Sequence, residues 1–362
     1  MNEYSKRLAA VAAQLPEEAD GALVTSQIAR YYLTGLNIDN GFLLITRGGS
    51  AYVTDFRYIE VANNVLAGVC EAVMYDDLSV TLCGLMEKYG AKSVVLEREC
   101  VTLSEAERLA KSLEPYKVIT NSNSLDEAIH SMRMSKSQTE LQKLRAAQAV
   151  AEKSFEHILG YIKEGMTERD IALELEFDMR RAGAERVAFD LIIAAGANGS
   201  MPHAVPSDYR IRKGDFITID MGAVVDGYHS DMTRTVALGE VSEEQKKIYD
   251  IVLKAQLAGV EYLMNGGIDC KEADSVARNI IKEAGYGEQF GHSLGHGVGM
   301  EIHEKPNLSM RSEAMLSEGC VVTVEPGIYL PERFGVRIED MLYITSDSAI
   351  NLTSVTKQLI VL

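Results

Sequence analysis

Four carboxylates stand at the ends or entrances of hydrophobic strand-like runs. Asp220 closes Phe216–Asp220, Asp231 opens the run to Thr235, Glu325 follows Val321–Val324 and Glu339 follows Val336–Ile338. A lone acid would carry no information in a chain with 53 Asp and Glu. Acids embedded in apolar strands are different, because burying an unpaired carboxylate is very costly. The fold must therefore bring positive charge to them. His296, in the Gly295-His296-Gly297 run, adds an imidazole, and its flanking glycines let backbone pass close to a bound group. Four carboxylates and one imidazole form a donor set for hard or borderline divalent cations, enough for two of them.

The chain has 362 residues, too long for one ordinary core, so two domains are expected. The expected division is 1–128 and 129–362. Hydrophobic content of 46% and charged content of 25% suit a globular protein. A net charge of −17 argues against nucleic acid as a partner. No apolar run follows the first charged residues and none approaches about eighteen residues, so neither a signal peptide nor a membrane span is expected. The five cysteines (Cys70, Cys83, Cys100, Cys270, Cys320) form no Cys-x-x-Cys pair. They read as free thiols of a reducing, cytoplasmic compartment.

The first part alternates strands (Gly21–Thr25, Gly41–Thr46, Ser93–Glu97) with helical stretches, which predicts an α/β domain. Ser104 and Glu107 have capping-box spacing for a helix that stops before Pro115. A polar joint, Ser131–Ser137, should lead into a long helix from about Gln138. The second part is expected to be α+β and carries a weak internal repeat. Tyr161–Gly165 precedes a helix that ends at Gly183, with Thr167 as N-cap and Ile171, Leu175 and Met179 as its apolar stripe. Tyr262–Gly266 precedes a helix that ends at Gly285. Aligning Gly214 with Gly319 places Asp220 on Glu325, 105 residues later. A duplicated helix-helix-hairpin unit would bring both acids to one central site.

The first hairpin can be worked out residue by residue. Asp226-Gly227 is a favoured two-residue turn. It sets Asp220 opposite Thr233 and Gly222 opposite Asp231. Period-two alternation then puts Asp220 and Asp231 on one face as diagonal neighbours. A slip of one residue would separate them.

The run from Phe290 to Glu304 holds His292, His296 and His303 among glycines. No Gly-Lys-Ser/Thr follows, which excludes a phosphate loop, and Pro306 excludes a zincin helix. The competing reading is a flexible loop with satisfied histidines. His203, between Pro202 and Pro206, is a further candidate, against an ordinary surface loop. Arg337, two residues before Glu339, reads as a charge-balancing partner for the carboxylates and as a contributor to substrate binding.

These phrases resemble the metallopeptidase family M24 of Xaa-Pro dipeptidases (prolidases) and Xaa-Pro aminopeptidases, with the creatinase or "pita-bread" fold. The resemblance runs through most of residues 130–345. Residues 292–304 are similar to the family signature almost position for position, and Thr54–Tyr58 resembles the smaller N-terminal α/β domain more loosely. The resemblance implies Asp220, Asp231, His296, Glu325 and Glu339 as ligands of two divalent ions, Mn or Co first and Zn or Fe next. Asp231 and Glu339 would bridge the ions around a shared hydroxide. Asp220 would serve one ion, and His296 and Glu325 the other. It implies His203, His292 and His303 as substrate-site histidines, with His203 and His303 on the scissile carbonyl and Glu325 carrying the proton. The implied substrates are small peptides with proline second, and the implied assembly is a homodimer. Three alternatives stand beside this reading: a broader aminopeptidase for Met-Xaa or Ala-Xaa, a metal-free creatinase-like hydrolase, and a non-catalytic binding module. A dipeptidase would need a cation for the substrate carboxylate. Asn307 stands where some prolidases carry an arginine, which leaves Arg30 and Arg57 as candidates from the first domain.

Overall fold

The computed structural model describes residues 2–362. The chain divides into two compact units, Met1–Met132 and Arg133–Leu362. No helix among the described residues is long and apolar enough to cross a membrane.

The first unit is built on a six-stranded sheet. Its order is Glu71–Met74, Ser50–Thr54, Phe42–Thr46, Gly21–Val24, Ser93–Leu96, Lys117–Ile119. The three middle strands pair antiparallel and the outer ones parallel. Leu23, Leu44, Val53, Val94 and Leu96 pack on Leu82, Leu85 and Met86 of helix Leu78–Tyr89. The capping box lies two residues earlier than the spacing at Ser104 suggests. Thr102 and Glu105 bond reciprocally and open helix Leu103–Ser112. Two overlapping Ser/Thr-x-x-Glu patterns compete here, and the earlier one lets two more residues join the helix. The polar joint is also shorter than expected. Helix Ser124–Met134 takes up its first residues, and Ser137, boxed with Glu140, caps helix Gln138–Tyr161.

Arg30 is no candidate for a substrate carboxylate. It is buried, and its guanidinium serves the Thr25, Ile38 and Asp39 carbonyls and the Tyr52 hydroxyl. Burying an arginine requires extensive pairing of this kind, and every nitrogen of the guanidinium is engaged within the domain. Arg57 is exposed and paired with Asp55 at 2.6 Å.

The second unit shows the repeat as two matching blocks. Helices Gln138–Tyr161 and Glu168–Arg181 precede strands Ile192–Ala195, Phe216–Met221 and Met232–Ala237. Helices Glu243–Met264 and Cys270–Glu283 precede strands Gly295–Gly297, Val321–Val324 and Asp340–Ile344. In each block the second of these strands lies between the other two, all antiparallel. Glycines at equivalent points hold the same left-handed backbone: Gly165 and Gly266 (φ 86° and 83°), Gly183 and Gly285 (110° and 91°), Gly214 and Gly319 (91° and 93°). Such angles are cheap for glycine alone. The match also extends beyond the first acid. Asp231 stands just before the third strand of its block, and Glu339 just before the third strand of the other.

Each block has its own apolar core between helices and strands. Phe155, Ile171, Leu175 and Met179 pack on Ile217, Ile219 and Met232 in the first. Val252, Ala273, Ala277 and Ile281 pack on Val322, Val324 and Leu342 in the second. Strand alternation sends Ile217 and Ile219 to the helices, so Thr218 and Asp220 face the other way. Thr218 and Thr235 hydroxyls meet there at 3.2 Å.

The hairpin turn at Asp226 and Gly227 has φ of 49° and 76°, the primed geometry expected of this dipeptide. The register sets Asp220 opposite Thr233, as the turn predicts. Gly222 is required by crowding, since a Cβ there would lie 2.0 Å from the Ser230 carbonyl oxygen. Gly222→Ala is expected to cost about 3 kcal/mol through forced backbone shift. Differential scanning calorimetry should read this as a fall in Tm of about 5–10 °C. Gly160→Ala, in a helix with nothing within 4 Å of the new methyl, should lose no stability.

Candidate metal centre and catalytic cavity

The two blocks deliver their acids to one cavity of about 550 Å³. Its lining includes Asp220, Asp231, His296, Glu325 and Glu339, together with His203, His292, His303 and Arg337. Ligand atoms of Asp231, His296 and Glu339 lie within 4.8 Å of one another, and all three residues are buried. His296 Nε2 stands 3.5 Å from Asp231 Oδ2 and 3.5 Å from Glu325 Oε1. Asp220 reaches the same cavity, with its Oδ2 accepting from Arg337 Nη2 at 2.6 Å.

His296 sits where only a bare backbone fits. A Cβ on Gly295 would lie 2.0 Å from the Thr323 carbonyl oxygen. The His296 amide donates to Thr323 Oγ1 at 3.1 Å, which ties this strand to the one that leads to Glu325. The ring Nδ1 lies 3.1 Å from the Gly297 carbonyl. That contact assigns the proton to Nδ1 and leaves the Nε2 lone pair facing the carboxylates. Burial first, and the neighbouring His303 next, bring the His296 pKa down to about 4. The imidazole is therefore neutral at pH 7.

The carboxylates carry the opposite strain. Burial, then the Glu339, Asp220 and Glu325 charges, push Asp231 well above the carboxylate range. Burial, then the Glu325 and Asp220 charges, push Glu339 well up, although Thr233 Oγ1 donates to it at 2.6 Å. Burial raises Glu325 to about 8, with Arg337 pulling the other way. Asp220 Oδ1 is buried and has no hydrogen-bond partner among the described residues. Carboxylate oxygens and a neutral imidazole lone pair thus converge, and the nearby guanidinium of Arg337 already serves Asp220. Acceptors facing acceptors repel unless a cation lies between them. The donor set, rich in oxygen with one imidazole and no thiolate, fits divalent cations.

All three nitrogens of the Arg337 guanidinium donate to protein groups. Nε donates to Thr233 Oγ1 at 3.2 Å, and Nη1 to Pro202 O at 3.2 Å and to the Tyr329 hydroxyl at 2.9 Å. Tyr329 in turn stands 2.9 Å from His292 Nε2, while His292 Nδ1 lies 2.8 Å from the Ser293 carbonyl. The proton order follows from these partners. Arg337 donates to Tyr329, Tyr329 donates to Nε2, and Nδ1 donates to Ser293. Burial brings His292 to a pKa of about 4, so this neutral tautomer persists. With both nitrogens engaged, His292 offers ring surface to the cavity. His303 is exposed and meets the His296 ring edge to face, with centroids 4.4 Å apart. His203 is exposed on the same cavity.

Tyr329, Thr233 and Thr323 complete this network, and the motifs did not single them out as functional. Thr233 could have been found, because it shares the Asp231 face under period-two alternation. Nothing local marks Tyr329. It reaches the site because strands Gly327–Leu330 and Phe334–Arg337 pair across a short loop.

Comparison with known proteins gives the family and the domains. The model of metallopeptidase family M24 matches residues 142–346, more than half of the chain. The Creatinase/Prolidase N-terminal domain matches residues 7–135.

The chain belongs to metallopeptidase family M24.

It is a peptidase with the pita-bread fold behind a creatinase-type N-terminal domain. The Xaa-Pro dipeptidase of Pyrococcus horikoshii is 39% identical over 362 residues, with 99% of each chain covered. The solved Xaa-Pro dipeptidase from Bacillus anthracis is 39% identical, covers 99% of both chains and superposes with a TM-score of 0.93. The X-Pro aminopeptidase from Thermotoga maritima is 36% identical over 94% of this chain and 98% of its own, with a TM-score of 0.87. M24 peptidases use divalent metals, and Asp231, His296 and Glu339 form a group able to hold one.

Proposed function

We propose that this M24 peptidase removes an N-terminal residue from peptides with proline second, using two divalent cations. The observation that carries this reading is the convergence of four carboxylates and a neutral imidazole in one cavity. The proline preference is supported by the relatives named Xaa-Pro dipeptidase and X-Pro aminopeptidase. Asp220, Asp231, His296, Glu325 and Glu339 would hold the cations. Manganese or cobalt suits this oxygen-rich set. Bound cations would supply Lewis acidity, which lowers the pKa of a water to about 7.

The chain's own residues do the rest. Glu325 takes a proton from the attacking water and delivers it to the leaving proline nitrogen. His303 and His203, exposed on the cavity, hydrogen-bond the scissile carbonyl as charge develops on its oxygen. His292 lines the region beyond the scissile bond with its ring. Arg337 holds Asp220 in place and balances its charge. The proline nitrogen in the scissile bond has no N–H, so no acceptor is needed for it.

Product analysis tests the reading. The manganese-loaded enzyme should release the first residue from Ala-Pro or Ala-Pro-Ala, and EDTA should abolish this. Cleavage of Met-Ala-Ala at a comparable rate would replace the proline preference with a broader aminopeptidase. Cleavage that resists EDTA would overturn the metal-dependent mechanism.

A further inference from the structure

Two hollows share lining residues with the catalytic cavity. One, about 530 Å³, shares Asp190, Ile192 and His203 with it. The other, about 900 Å³, shares His292 and Ser293. Their charges differ in sign. In the first, Arg169 is paired with Asp208 and Glu176 with Arg180. Asp190 is left exposed, with no side-chain partner among the described residues. In the second, Arg278 is spent on Asp274 and on the Phe290 and His292 carbonyls. Lys282 and Arg311 are exposed without partners among the described residues, against a single carboxylate, Glu288. A net cationic hollow is out of keeping with a chain of net charge −17.

A peptide is itself polar, with an ammonium at one end and a carboxylate at the other. An enzyme that removes one residue keeps the amine within a residue of the scissile bond. The remainder must leave in the other direction. We propose that the hollow beyond His292 is a subsite for the part of the substrate that follows proline, with Lys282 and Arg311 attracting its terminal carboxylate. This rests on the exopeptidase reading above and deepens it: peptides longer than a dipeptide gain a contact that Ala-Pro lacks. In a dipeptide the carboxylate sits on the proline itself. There it meets His292, whose nitrogens are engaged, and Arg337, whose three guanidinium nitrogens already donate to protein groups. Asn307 on the same lining is uncharged.

The test compares Ala-Pro-Ala-Ala as free acid and as C-terminal amide on the metal-loaded full-length enzyme. The wild type should show about five- to tenfold higher kcat/KM for the acid at low ionic strength, mainly through KM. The gap should close in about 1 M salt, where the screening length is about 3 Å. The double variant Lys282→Glu, Arg311→Glu should reverse the preference and leave Ala-Pro unchanged. Both side chains are exposed, so the variant should fold, and calorimetric binding of the same peptide pair reads the preference without turnover. Equal handling of acid and amide by wild type, or equal losses on both in the variant, would overturn the subsite. If non-proline peptides are cleaved equally well, the proline preference fails. The acid-to-amide ratio on those peptides still decides the subsite.

Discussion

Glu325→Gln is expected to lower kcat by about a thousandfold while leaving both metal sites filled, because general acid-base catalysis contributes about 10²–10⁴. The substitution keeps the size of the side chain and one oxygen toward the cavity. It removes the carboxylate's charge and, with it, the capacity to take up and return a proton, while four other ligands remain to hold the cations. In the metal-free protein burial lifts this carboxyl to about 8; bound cations would return it to the ionised form that a base requires. Elemental analysis should show unchanged metal content, and KM should move little. Loss confined to kcat marks an interaction made in the transition state. Full activity with both metals bound would remove Glu325 from proton transfer and leave it as a ligand only.

The metal-free protein should lose stability as pH rises, because burial raises the pKa of the site carboxyls. Asp231, Glu325 and Glu339 all have folded pKa values above those of the unfolded chain. Between the two values the folded state binds more protons. Its stability is therefore complete below the unfolded pKa, near pH 4, and declines as pH climbs through the folded values. For Glu325 that window runs from its usual value of 4.5 up to about 8. The Tm of stripped protein should fall by about 5 °C or more between about pH 5 and pH 8. Manganese should remove the decline, because it binds the ionised forms and expels their protons. Calorimetry in buffers of different ionisation enthalpy would count those protons. Asp231→Asn with Glu339→Gln should flatten the metal-free slope. A metal-free Tm that is flat or rises over this range would show that cations are not needed to hold these carboxylates together.

Much of this site was legible before any tertiary structure. The Asp226-Gly227 turn and the period of two set Asp220 opposite Thr233 and on the Asp231 face, and the observed register agrees. Thr167, Ile171, Leu175 and Met179 marked a helix by cap and stripe, and the stripe is fully buried. The glycines that align the repeat hold matching backbone angles. Each of these rests on local rules, where a residue's neighbours in sequence are also its neighbours in space. The capping box failed on the same ground, because two local patterns overlapped at Thr102 and Ser104 and nothing local ranked them.

Which residues could carry the chemistry was thus determined by the sequence, since unpaired acids in apolar strands demand a cation wherever the chain places them. How they meet was decided only by the tertiary structure. Asp231 lies 65 residues before His296, yet their side-chain atoms stand 3.5 Å apart. The His292–Tyr329–Arg337–Asp220 chain joins residues from strands and loops of both blocks. So does the difference in charge between the two flanking hollows, which appears only after Arg169, Glu176 and Arg278 have found their partners. Pairing is a nonlocal property: a charge counts toward a ligand only after the fold has chosen which charges neutralise one another.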